Sequence, residues 1–149
     1  MAETLGSLCD KLTVVKLKQY HADDSKRLDS LAIQEQQLRD EIDRYVFGAI
    51  SGEIPPEKLI FASNKVYKKK GNEINEIIGS IGKVVSELAA VNCDLWHQQE
   101  KVYEFEKVPI MEKDAVVKQL AKLNLIRTKC IDSIDNQFQK LVIRKSTKR

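Results

Sequence analysis

Two aromatic–histidine pairs are the side chains of this sequence best suited to bind a ligand. They are Tyr20-His21 and Trp96-His97, and Glu100 follows the second pair at helical spacing. An aromatic ring can stack on a nucleobase, and a histidine can donate a hydrogen bond to an anionic group. These residue types therefore predict a site for a phosphorylated or nucleotide-like ligand.

The helix that carries the second pair is expected to turn these side chains inward. Arg127 interrupts an apolar stripe on the predicted partner helix, where it would serve as a further anion contact. A buried charge is costly unless it is paired, so Glu100 and Arg127 would neutralise each other. In the alternative interpretation the same residues form only a polar layer that fixes helix register, with His97 bonded to a carboxylate such as Asp135.

Catalytic and metal-binding patterns are weak by comparison. Glu100, Asp132 and Asp135 could hold Mg²⁺, but the carboxylate pairs of a di-metal bundle are missing and the chain has only 2 histidines. No Ser or Cys lies in a recognisable nucleophile motif, and neither a Walker loop nor a dinucleotide fingerprint occurs. We expect no metal and no cofactor, and a metal-dependent nucleotide hydrolase is the enzymatic alternative.

A second candidate site is the basic segment NKVYKKKGN. Its four lysines surround one aromatic ring, and the five residues are Lys65, Tyr67, Lys68, Lys69 and Lys70. Such a group can hold phosphate oxygens and stack a base, but it is equally typical of a solvated basic helix end. Sequence-specific DNA binding is not expected, because no recognition-helix or zinc signature is present.

An internal repeat relates the two aromatic–histidine pairs. Residues 6–21, GSLCDKLTVVKLKQYH, align without gaps with residues 82–97, GKVVSELAAVNCDLWH. Residues 33–43 then match residues 125–135, and the offset between the copies grows from 76 to 92 residues. If each copy is a helical hairpin, the second hairpin would project roughly 12 Å further than the first at about 1.5 Å per residue.

Apolar residues at helical spacing predict two helices before the first clear break at Ser51-Gly52. The repeat places the turn between them near Asp29-Ser30, with Ser30 as the cap of the second helix. One continuous long helix is the competing interpretation. Pro56 is then expected to open a short basic helix that ends at Gly71.

Two further helices are predicted in the second half. Asn72 is the expected cap of a helix that runs to about Phe105, with Gly79 and Gly82 inside it. Its stripe is Ile74, Ile78, Ile81, Val85, Leu88, Val91 and Leu95. Asp114 is the expected cap of the last helix, which runs to about Ile143.

The fold class that follows is an all-α antiparallel bundle of two repeated helical hairpins. With 149 residues, 42% hydrophobic and 32% charged, the chain suits a single helical domain. Its expected parts are hairpin one (4–50), a basic connector (51–71), hairpin two (72–143) and a basic tail (144–149). Cys93 and Cys130 align with leucines of the first copy and are predicted to be core residues.

Location and partners are less clearly marked in the sequence. No apolar run approaches a membrane span and the start lacks the pattern of a signal peptide, so the cytoplasm is expected. Homo-oligomerisation through the longer hairpin is the alternative to ligand binding.

The segments GSLCDKLTVVKLKQYH and SELAAVNCDLWHQQEKV resemble a loosely defined group of small all-helical bacterial and phage proteins. In that group a leucine-rich helix ends in Trp-His-x-x-acid, and a later helix carries an Arg followed by an Ile-Asp pair. The matching residues here are Trp96, His97, Glu100, Arg127, Ile134 and Asp135. The resemblance implies a helical fold and a phage origin, with the host cytoplasm as location, rather than an activity. Together with the motifs it favours a non-enzymatic protein that sequesters a nucleotide signal.

Overall fold

Four α-helices make up most of the described chain. A computed structural model describes residues 2–61 and 77–147. The helices are α1 (Leu5–His21), α2 (Ser25–Ser51), α3 (Ile81–Tyr103) and α4 (Ile110–Thr147). No strand occurs in the two described ranges, which confirms the predicted all-α class. None of the helices in these ranges is long and apolar enough to cross a membrane.

The first two helices are separated by a three-residue turn rather than at the predicted position. The side chain of Thr4 caps α1, and α1 ends at His21 because Ala22 is extended. Asp24 caps α2 by accepting a hydrogen bond from the Lys26 amide at 3.1 Å. The predicted turn at Asp29-Ser30 is therefore wrong, and so is a single continuous helix.

After α2 the chain turns sharply towards the core. Gly52 ends the helix in the left-handed region, with φ of 86°. Pro56 opens only a single 3₁₀ turn, Pro56–Lys58, and the next three residues are not helical. The predicted short basic helix is wrong for residues 59–61. There the chain instead packs Leu59 in the core, where it is 1% exposed. The rest of that prediction falls on residues 62–71, outside the described residues.

The third helix begins later than predicted. Residues 77–80 are not helical, and α3 starts at Ile81 after Gly79, whose φ is 134°. That backbone conformation is open to glycine and strained for other residues, so it places a break where the apolar stripe predicted a continuous helix. The predicted cap, Asn72, lies outside the described residues.

A tight connection joins α3 to α4. A 3₁₀ turn, Phe105–Lys107, precedes Pro109, and α4 begins at Ile110. The expected cap at Asp114 is wrong, since this residue lies inside the helix. The helix also continues past the predicted end at Ile143, so Arg144 and Lys145 are helical rather than part of a tail.

All four helices contribute to one hydrophobic core. Its buried members are Leu5, Ala49, Leu59, Val84, Leu88, Cys130, Ile134, Phe138 and Val142. Cys130 is fully buried, as predicted, whereas Cys93 is exposed and the prediction for it is wrong. Helix α1 packs against α2, α3 and α4, and it is thus the element that joins the rest of the fold.

The end of the α3–α4 pair extends beyond α1. The last residue of α1, His21, stacks on Trp96 in α3. Helix α3 continues from Trp96 to Tyr103, which corresponds to about 10 Å at 1.5 Å per residue. We call residues 103–111 the hairpin tip.

Candidate functional site

Three of the predicted aromatic and histidine residues meet on the surface. The His21 and Trp96 rings stack with centroids 4.6 Å apart and 7° between their planes. Tyr20 lies edge-on to His21 at 5.2 Å, and 85% of Tyr20 is exposed. Both residues of the first pair and Trp96 of the second therefore form one surface cluster at the end of α1, with one face of Trp96 occupied by His21.

The inward orientation predicted for His97 and Glu100 is wrong. Both are exposed, as is Cys93. The buried face of α3 passes through Val91, and Cys93 stands two residues further on. Two residues correspond to about 200° around a helix, which directs the side chain away from the core. His97 likewise stands two residues after Leu95, which belongs to the apolar stripe. The helix therefore directs His97 away from the interior.

Arg127 belongs to a buried polar network that the sequence did not reveal. Its Nη2 and Nε atoms lie 3.1 and 3.2 Å from Oδ2 of Asp10, which is 5% exposed. Asn92 donates to the other oxygen of Asp10 at 2.9 Å and to Thr13 at 2.7 Å. The network joins α1, α3 and α4, and Arg127 is paired with Asp10 rather than with Glu100 as predicted.

Asp135 has a structural position at the start of α1. Its Oδ1 accepts a hydrogen bond from the Gly6 amide at 2.7 Å, so it satisfies a backbone donor at the helix N-terminus. Burial of this carboxyl raises its pKa to about 6, although the Gly6 hydrogen bond acts in the opposite direction. The bond between His97 and Asp135 that the alternative interpretation offered is wrong, because His97 is exposed whereas Asp135 is buried.

Metal binding by Glu100, Asp132 and Asp135 is not supported by the geometry. Within residues 2–61 and 77–147, no three His, Cys, Asp or Glu side chains are grouped so that they could hold a metal ion.

The groove next to Arg127 is poorly suited to an anion. It lies between α1 and α2, has a volume of ≈ 440 Å³ and is also lined by Lys11 and Lys18. Two of these cations already have carboxylate partners, since Lys11 pairs with Glu3 and Arg127 with Asp10. Little positive charge remains for a ligand there.

The lysine cluster of the connector was the second predicted site. Its five residues, Lys65, Tyr67, Lys68, Lys69 and Lys70, lie outside the described residues.

A cleft that was not predicted lies at the start of α3. It has a volume of ≈ 750 Å³ and is lined by Ser80, Ile81, Gly82, Gln137, Lys140, Leu141 and Arg144. The side chain of Ser80 makes no capping hydrogen bond, so no side-chain cap occupies the first amides of α3. A Cβ atom on Gly82 would have no neighbour within 4 Å, which leaves open space beside these amides.

The charges around this cleft are positive. Lys140 and Arg144 project from successive turns of α4 and make no ion pair with any described residue. No acidic side chain stands among the described residues that line the cleft. Lys83 lies against Gly79, where a Cβ atom would be 2.5 Å from its Cδ. An uncapped helix N-terminus beside unpaired cations attracts anions.

The walls of the cleft are polar on one side and apolar on the other. Gln137 donates to the Gly79 carbonyl at 2.8 Å and contacts Ser133 at 3.1 Å, which fixes the approach to α3. Ile81 and the half-exposed Leu141 provide the apolar surface. The arrangement can hold an anionic group at the helix end and an uncharged portion of the same ligand beside it.

One sequence signal could have located this cleft. The run Gly79-Ser80-Ile81-Gly82-Lys83 combines a backbone breaker, a residue type favoured at N-caps, and a basic side chain. Since the apolar stripe continues through this run, the helix was predicted to pass over it. The contribution of Lys140 and Arg144 required the packing of α4 on α3.

No protein-family model, curated protein or solved structure matches the chain.

Proposed function

We propose that this protein is a non-enzymatic binding protein for a phosphorylated or nucleotide-like small molecule, held in the cleft at the start of α3. The observation that supports this function is the combination of the uncapped α3 N-terminus with Lys140 and Arg144, which pair with no carboxylate among the described residues. Backbone amides at a helix start and flanking cations are the groups that bind phosphate oxygens in many proteins.

The rest of the cleft favours a ligand larger than free phosphate. Ile81 and Leu141 offer apolar contact next to the charged end, which suits a sugar or base attached to the phosphate. The described side chains that line the cleft include no nucleophile paired with a base, so binding rather than turnover is the proposed activity.

Thermal unfolding in the presence of nucleotides tests this function. Mono-, di- and cyclic nucleotides and inorganic phosphate would be titrated, and at least one nucleotide is expected to raise Tm. A ligand at 100 times its Kd stabilises the folded state by about 2.7 kcal/mol. The double substitution Lys140→Gln/Arg144→Gln should abolish the shift.

A matched pair on the same helix controls for loss of net charge. Lys118 and Lys122 are exposed and lie outside the cleft, so Lys118→Gln/Lys122→Gln should leave the shift intact. The proposal fails if no compound moves Tm at high concentration. It also fails if the control pair reduces the shift as much as the cleft pair does, because the effect would then be general electrostatics.

Self-association is a second candidate function, and the hairpin tip favours it. Tyr103, Ile110 and Met111 are 78%, 86% and 95% exposed, so large apolar side chains cluster at the projecting end of α3 and α4. Glu104 and Lys107 beside them pair with each other at 3.3 Å, so the charge next to this apolar surface is largely neutralised, which suits contact with an identical surface.

The evolutionary origin of the fold is part of the same proposal. The aligned segments 6–21 and 82–97 lie in α1 and α3, which supports two related hairpins in a single domain. The resemblance to phage-type helical proteins supports action in the host cytoplasm.

The surface cluster of Tyr20, His21 and Trp96 is proposed as a secondary contact for the ring of a ligand.

A further inference from the structure

A shallow groove that shares no lining residue with the α3 cleft combines apolar and acidic side chains. It follows one face of α2 and has a volume of ≈ 980 Å³. Leu8 and Gly48 form its buried base, and Ile54 packs over Gly48 at 3.1 Å from where a Cβ atom would lie. Phe47 stands at the edge and is 71% exposed. An exposed aromatic ring next to a buried base suits contact with another apolar surface.

The rim of this groove is acidic although the chain as a whole carries a formal charge of +3. Glu41, Asp43 and Glu53 line it, and none of the three makes a hydrogen bond or ion pair with any other described residue. Glu3 also lines it but is paired with Lys11, and Arg44 is the single cation among the described lining residues. The groove therefore presents unneutralised negative charge around an apolar centre.

We propose that this groove binds a lysine- and arginine-rich amphipathic helix of a partner protein. The apolar side of such a helix would cover Phe47 and Ile54, and its cations would meet the carboxylates of Glu41 and Glu53. Amphipathic helices commonly bind in this way, with apolar anchors in a groove and complementary charges at its rim. The charge complementarity selects a basic helix over an acidic one and over a neutral surface.

Fluorescence polarisation with model peptides tests the proposed partner chemistry. The probe is a labelled helical peptide of alternating leucine and lysine blocks, and the same peptide with glutamate in place of lysine is the comparison. The lysine peptide is expected to bind and the glutamate peptide is not. Glu41→Lys/Glu53→Lys should weaken binding of the lysine peptide at least tenfold, and Phe47→Ser should weaken it severalfold.

Matched substitutions separate this groove from general attraction between opposite charges. Glu57→Lys/Glu106→Lys makes the same change in net charge outside the groove, and Ile33→Ser removes an exposed apolar side chain elsewhere on α2. Both should leave binding unchanged. The proposal is overturned if these controls weaken binding as much as the groove variants do. It is equally overturned if the peptide does not bind and the groove variants instead abolish a dimer of the protein.

Discussion

At the scale of single residues, two buried carboxylates connect α1 to α4. Asp10 receives hydrogen bonds from Arg127 and Asn92, and Asp135 accepts from the Gly6 amide. Each carboxylate is 5% exposed, so its hydrogen bonds within the protein must replace the contacts with water that burial has removed. The first is held by a cation, whereas the second has only uncharged donors and carries the raised pKa.

Asp135 should make folding stability fall as the pH rises from about 4 to about 6. Its folded-state pKa is about 6 and its unfolded value is 3.8, so the native state binds this proton more tightly. The contribution of Asp135 to stability is complete below its unfolded-state pKa and is lost as the pH rises through its folded-state pKa. The free energy of unfolding should fall by an amount on the order of 2–3 kcal/mol over this range. Urea unfolding at several pH values would measure it.

Asp135→Asn provides the reference for that titration. The amide oxygen can still accept from Gly6, but the side chain no longer ionises. Relative to this variant, the wild-type protein should be more stable at pH 4 than at pH 7. A difference between the two proteins that stays constant over this range would exclude an elevated pKa at Asp135.

At the scale of elements, the helices were predictable and their ends were not. The stripe through Leu88, Val91 and Leu95 identified α3, because apolar periodicity reports which face is buried. The ends at His21 and Ile81 are set by backbone conformation at Ala22 and Gly79, which periodicity does not report. The orientation of His97 was predicted wrongly, although its position two residues after Leu95 directs it to the opposite side of α3.

The repeat aligns Gly6 with Gly82, yet substitution of these glycines should have different effects on stability. A Cβ atom on Gly6 would lie 2.5 Å from the carbonyl oxygen of Ile131, whereas one on Gly82 meets nothing within 4 Å. Gly6→Ala is expected to destabilise the fold by about 1–3 kcal/mol, since a backbone oxygen cannot move away easily. Gly82→Ala should be neutral or stabilising by up to about 1 kcal/mol.

Denaturant midpoints of the two alanine variants check this prediction. Two equal effects would mean that α1 does not approach α4 as closely at Gly6 as the contact with Ile131 requires.

At the scale of the whole molecule, α1 is the helix that connects the other three. It packs against the three other helices, and the polar network around Asp10 lies where it crosses α3 and α4. The sequence contained the parts of this arrangement but not their pairing, since Asp10 and Arg127 are distant in the chain and lack a shared motif. The α3 cleft was missed for the same reason, because its cations belong to α4.

The projecting hairpin tip should control association of the intact protein. If the exposed apolar residues of the tip pair with a second copy, light scattering at high protein concentration will report a dimer. Ile110→Ser/Met111→Ser should then return the protein to a monomer, because burial of apolar surface drives such contacts. Ile50→Ser, which removes an exposed apolar side chain outside the tip, should not change the mass. A wild-type protein that stays monomeric at millimolar concentration would exclude this role.

The stack of His21 on Trp96 gives the molecule an internal optical reporter. Trp96 is the only tryptophan in the chain, and the ring that covers it belongs to the last residue of α1. Its emission therefore senses whether the end of α1 is docked on α3, without any added label. Any event that lifts α1 from the helices around it becomes visible at a single wavelength.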